Sequence, residues 1–193
     1  CDAASGHIYL EGKDYHSMKP EELRKHIAMV PQQVNLFSGT IRDNLLLADP
    51  KADDKTLMEA VKEAGLLKFV QSLENGLDSD VGNAGASLSG GQRQKIGIAR
   101  ALLSKAEYMI FDEATSSVDP ESEKEIWDTI GHLAHTRTLI IISHRMSSVR
   151  DADCIYVLKD GKVAQQGSHD ALMAQDGLYR ELVMRQQAME VAE

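Results

Sequence analysis

Leu88-Ser89-Gly90-Gly91-Gln92 opens a run rich in Ala, Ile and Leu that reads as a helix over residues 92–103. Tyr108-Met109-Ile110-Phe111-Asp112-Glu113 follows as an apolar strand ending in two acids. This order of loop, helix and strand decides the fold. A Ser and two Gly at a helix start leave backbone N–H groups open to a ligand, and the helix dipole favours an anion there. Taken singly, each piece has an ordinary explanation. A Ser-Gly-Gly triplet is most often an N-cap and turn, and an acidic pair after a strand is most often a solvated strand end.

Outward from there, strand-like and helix-like stretches alternate, which predicts an α/β layered fold. Residues 6–12 read as a short strand bounded by glycines, and residues 20–26 as a helical turn with Pro at an early position. Ile27-Ala28-Met29-Val30 reads as a strand stopped by Pro31. Residues 53–75 are helical in pattern, with Leu57, Ala60, Val61 and Ala64 on one face. Asp53 and Asp54 sit at the end where carboxylates suit the dipole. Residues 108–111 and 138–142 are continuous apolar runs, as expected of central strands covered on both faces; the second ends at Ser143-His144. Residues 154–158 and 162–165, joined by Asp160-Gly161, read as a hairpin, and residues 177–189 as a surface helix.

The 193 residues fit one domain with a small helical insertion. Hydrophobic residues at 42% and charged residues at 26% exclude a disordered chain. A net charge of -9 without any Lys/Arg cluster argues against nucleic acid. It does not exclude a nucleotide, because one local site of backbone donors and a metal can hold phosphates. Cys1 and Cys154 have no metal-type spacing and are expected to be ordinary thiols of a reducing compartment. The longest aliphatic run, residues 139–142, is far short of the roughly 20 residues that span a bilayer.

With the flanking Arg93-Gln94-Lys95 and Ala99-Arg100-Ala101-Leu102, the pentapeptide at 88–92 resembles the signature motif of the ATP-binding-cassette (ABC) ATPases. In that family the motif presses on the γ-phosphate of an ATP held by the opposite subunit. The resemblance covers essentially the whole chain, and the family's other elements fall in order. Residues 108–113 resemble the Walker B strand. This implies that Asp112 partners Mg²⁺, through water because that ion keeps much of its hydration shell, and that Glu113 is the general base for the attacking water. Gln32, in Val30-Pro31-Gln32, matches the Q-loop glutamine, whose amide can touch both metal and attacking water. Ser116-Ser117-Val118-Asp119 matches the D-loop, which crosses to the partner subunit. Asp119-Pro120 also reads as a helix N-cap with Pro first. His144 matches the switch histidine that contacts the γ-phosphate. The resemblance therefore implies catalytic roles for Glu113, His144 and Gln32, and metal contacts from Asp112 and Gln32. It implies ATP contacts in trans from Ser89, Gly90, Gly91 and Gln92, and a dimer-interface role for Asp119.

The stretch between Gln32 and Leu88 leaves room only for a compact helical subdomain. Residues 1–40 and 86–193 are therefore expected to form the α/β core of a P-loop NTPase-like domain, with a helical insertion at about 41–85. No heptad run of a coiled coil appears. Residues 36–44, 161–169 and 177–179 resemble the exporter type. One departure stands out: exporters carry Gly-Glu-Arg-Gly before the signature, a segment associated with coupling to the membrane domain. Here it reads Gly82-Asn83-Ala84-Gly85, without either charge.

A P-loop of the form G-x-x-x-x-G-K-[ST] occurs nowhere in the chain. The resemblance places it upstream of Cys1, so the N-terminal part of the domain, including Walker A, is expected to be missing, and the fragment alone to bind ATP weakly or not at all. The implied function is the ATP-hydrolysing domain of an ABC exporter, with ATP and Mg²⁺ as ligands. Its implied partners are a second ABC ATPase domain and a transmembrane domain, with no nucleic acid, at the cytoplasmic face of the cell membrane. The alternatives are a soluble ABC ATPase acting on the ribosome or DNA, and a non-catalytic interaction domain. The exporter-like segment after Gln32 argues against the first, and the intact Glu113 and His144 against the second.

Overall fold

The computed structural model describes residues 5–116 and 118–190. Cys1, read above as an ordinary thiol, and Ser117, part of the match at 116–119, lie outside the described residues. Two compact units divide between Ile140 and Ile141.

In the first unit, Glu11 and Gly12 both take positive φ (49° and 74°). They form the mirror-image turn of a small antiparallel hairpin, β1 (Tyr9–Leu10) with β2 (Lys13–Asp14). The strand read over residues 6–12 is thus shorter than expected, because Gly12 belongs to the turn. α1 (Pro20–His26) carries Glu21 and Glu22 in its first turn and Arg24, Lys25 and His26 in its last, so its charges complement the dipole at both ends. β3 (Ile27–Val30) runs parallel to β4 (Tyr108–Asp112), with Ala28 opposite Met109 and Val30 opposite Phe111. Those four side chains share one buried face, while Met29 on the other is 54% exposed.

β5 (Thr138–Ile142) completes the sheet in the order β3-β4-β5. Here the sequence expectation needs correction. Leu139 and Ile141 are half-buried, but Ile140 and Ile142 are each 48% exposed. β5 is the last strand of the three and is covered on one face only among the described residues. A continuous apolar run does not by itself certify two covered faces.

α2 (Ile41–Leu46) starts on a capping box. Thr40 Oγ1 accepts from the Asp43 N–H at 3.0 Å, and Asp43 Oδ2 accepts from the Thr40 N–H at 2.9 Å. α3 (Asp54–Glu63) is capped by Asp53 and buries Leu57, Ala60 and Val61, the face its periodicity predicts. The helix read over residues 53–75 breaks at Gly65 (φ 68°), a left-handed terminator, and resumes as α4 (Leu67–Ser72). α5 (Gly90–Leu103) is buried at ten of its positions. It lies against β3, α2, α3 and α6 (Pro120–Ala134), and this packing buries even Gln94 and Lys95.

The second unit holds α7 (Met146–Val149), the hairpin of β6 (Ile155–Lys159) and β7 (Lys162–Gly167), α8 (His169–Met173) and α9 (Leu178–Glu190). The hairpin turns at Asp160 and Gly161, both at positive φ, as read from the sequence. Its core is Ile155, Val157, Leu172, Tyr179 and Val183. Buried Tyr179 sets its hydroxyl 2.9 Å from His169 Nδ1, which satisfies the one polar atom the ring brings inside.

Candidate functional site

Apart from His144, the residues singled out above collect at two places in the first unit. One is the N-terminus of α5. Ser89 Oγ accepts from the Gln92 N–H (3.2 Å), and Gln92 Oε1 accepts from the Ser89 N–H (2.9 Å), a second capping box. The first intrahelical bond runs from the Arg93 N–H to the Ser89 carbonyl. The N–H groups of Gly90 and Gly91 therefore have no intrahelical partner, as at any helix start.

Gly91 answers a second demand. A methyl on it would sit 2.6 Å from Ser122 Cβ and 2.7 Å from Ser122 Oγ, closer than packed atoms approach. The start of α6 thus presses on the start of α5. Asp119 caps α6, accepting from the Ser122 N–H at 3.0 Å, and this bond holds its carboxyl below the usual aspartate range. Ser89–Gln92 and Asp119 accordingly lie side by side on neighbouring helix starts.

The other place is the carboxyl end of the parallel pair. Because Val30 stands opposite Phe111, Gln32 and the Asp112-Glu113 pair leave adjacent strands at the same end. That end is where open α/β sheets place their ligands. Asp112 and Glu113 are half-buried and Gln32 is exposed. Glu113 sits at φ 47°, a left-handed conformation that costs a non-glycine residue about 1 kcal/mol or more. A turn closed by the Ser116 N–H to the Glu113 carbonyl (3.1 Å) follows it.

His144 belongs to the second unit and is exposed. Its turn is tightly tied. Ser143 Oγ accepts from the Arg145 N–H (3.0 Å), Ser148 Oγ donates to the Arg145 carbonyl (2.6 Å), and the Met146 N–H donates to Gln186 Oε1 (2.8 Å).

Sequence reading missed a buried polar network that ties the segment after Gln32 to α5. Asn44 is fully buried and donates from Nδ2 to the carbonyls of Phe37 and Thr40, both at 2.9 Å. Its Oδ1 accepts from the Phe37 N–H (2.9 Å) and from Arg100 Nη2 (2.6 Å). Arg100 also donates to the Asn44 carbonyl and, through Nη1, to the Asn35 carbonyl, each at 2.7 Å. Burial works against its charge and lowers its pKa from the usual arginine value. The one available signal was a lone Arg within the apolar stretch at 96–103.

The sequence profile of the ABC transporter family matches residues 1–116. An ATP-dependent lipid A-core flippase of Colwellia psychrerythraea is 41% identical over 181 residues, covering 94% of this chain and 30% of the flippase. The ABC-type transporter fsqE of Aspergillus fumigatus is 43% identical over 187 residues, covering 96% of this chain and 15% of that protein. Among solved structures, a bacterial Atm1-family ABC exporter with ATP bound superposes with a TM-score of 0.89 at 38% identity, over 96% of this chain and 33% of the exporter chain. The chain thus spans a third or less of the length of these relatives.

Proposed function

The chain belongs to the ABC transporter family, and we propose on that premise that it is the ATP-hydrolysing domain of an exporter. In this reading, nucleotide-driven pairing with a second ABC ATPase domain powers transport by a transmembrane domain at the cytoplasmic face of the membrane. Among the described residues, no helix is long and apolar enough to cross a membrane. Residues 1–40 and 86–193 form the α/β core in this proposal, and about 41–85 the helical insertion.

The observation that supports it best is the exit of Gln32 and Asp112-Glu113 from adjacent parallel strands at one sheet end. Glu113 takes the proton of the attacking water. The Gln32 amide, an acceptor and a donor in one group, orients that water. His144 contacts the γ-phosphate. Ser89, Gly90, Gly91 and Gln92 offer their hydroxyl, N–H groups and amide to the ATP of the partner domain, with Asp119 beside them at the interface. The oxygens of Asp112 and Gln32 fit Mg²⁺, a hard cation that takes few protein ligands beside substrate phosphates and water. When bound, it neutralises phosphate charge.

The test is Glu113→Gln in the intact transporter. ATP binding should persist while hydrolysis falls by about a hundredfold or more. Turnover near the wild-type rate overturns the assignment of Glu113 as the base.

A further inference from the structure

α5 does more than present its N-terminus. Three of its residues, spaced three apart, touch the loop that carries Gln32. Gln94 is only 3% exposed, and its Nε2 donates to the Pro31 carbonyl at 3.0 Å, immediately before Gln32. Gly97 meets Val34: a methyl there would sit 2.6 Å from Val34 Cγ2. Arg100 donates to the Asn35 carbonyl. The positions 94, 97 and 100 follow one side of the helix, and their partners at 31, 34 and 35 bracket Gln32.

Pro31 is exposed as a residue, yet its carbonyl accepts from a side chain that is almost wholly buried. What the bond supplies is a fixed place for the loop. A buried amide on α5, next to the buried Lys95, donates across to the loop that carries Gln32 and so fixes that loop against the helix.

We propose that Gln94 is a positioning residue for Gln32, backed by Gly97 and Arg100, so that α5 carries Gln32 and the Ser89–Gln92 end as one rigid piece. This rests on the reading of Gln32 as a catalytic-site residue. In the paired domains, the N-terminus of α5 faces the partner's ATP while Gln32 faces the domain's own. A shift of α5 on engaging the first is therefore delivered to Gln32 at the second. The contact couples the two nucleotide sites through a single helix.

The experiment uses Gln94→Met in the intact transporter, which keeps the side chain's length and buried packing and removes the donor. Turnover should fall about tenfold, with KM for ATP within about twofold, since small misplacements of an orienting group act on the chemical step. Amide exchange should speed up at Gln32 and Gln33 and stay unchanged at Leu57. In a Gln32→Ala background, Gln94→Met should cause no further loss. If Gln94→Met folds poorly, as its thermal midpoint will reveal, Gln94→Leu carries the same expectations. Wild-type exchange at residues 32–33 overturns the hold on the loop. An equal loss with and without Gln32 overturns the positioning role. A Gln32→Ala variant with full turnover overturns instead the catalytic reading of Gln32.

Discussion

The start of α5 and the end of β4 carry neighbouring motifs, yet the chain builds them in opposite ways. At the start of α5 the conformation is regular and the polar groups are answered locally, Ser89 and Gln92 capping each other across one turn. At the end of β4 the backbone is held out of its comfortable range, with Glu113 at φ 47°. The first end offers a ligand the N–H groups that any helix start leaves over, with the Ser89 and Gln92 side chains beside them. The second places one specific carboxylate where relaxed backbone would not. Binding can be supplied by ordinary helix geometry; placing a base calls for a conformation the rest of the fold must enforce.

This contrast can be broken by substitution. Glu113→Gly should abolish hydrolysis, a loss of about a hundredfold or more. Relief of the left-handed strain and the added freedom of the unfolded chain nearly cancel, so the backbone part of the stability change should be about 1 kcal/mol at most. A drop of several kcal/mol on urea unfolding would show that Glu113 is a structural support. Next in size is Gly91→Ala, which forces a methyl against Ser122 and should cost about 2 kcal/mol. Adding Ser122→Gly removes both clashing atoms and should recover most of that loss. Failure to recover would place the strain elsewhere. Smallest is Ser89→Ala, which removes one half of the capping box and should cost about 1 kcal/mol by the same unfolding measurement.

What could be read from the residues follows the same division. The apolar face of α3, the Asp160-Gly161 hairpin and the Asp119 cap are set by near neighbours, and all three stand as read. The break at Gly65 was legible too, but the periodicity of 53–75 outweighed a single glycine. The uncovered face of β5 was not legible, because neighbouring elements decide whether an aliphatic strand is covered once or twice. Nor was the second role of Gly91. A glycine next to a cap looks like one that frees the backbone for a ligand, and only the approach of α6 reveals the packing demand. Asn44, Gln94 and Arg100 escaped for a related reason. Gln94 and Arg100 reach partners far earlier in the chain, Asn44 among them, and nothing in local pattern marks a buried side chain with distant partners.

The meeting of Gly97 with Val34 bears on how this domain can be engineered. Replacing a helical glycine with alanine is a standard route to a sturdier protein, and a sequence survey would nominate Gly97 and Gly131 alike. They are opposites. At Gly97 the added methyl collides with a branched side chain, whereas at Gly131, inside α6, it meets nothing within 4 Å. Gly131→Ala should raise stability by about 0.5–1 kcal/mol, seen as a higher thermal midpoint, and leave turnover untouched. The same exchange at Gly97 should yield a protein that is both weaker and slower. Room for improvement on this scaffold therefore lies on the outer helix, away from the one that links the motifs.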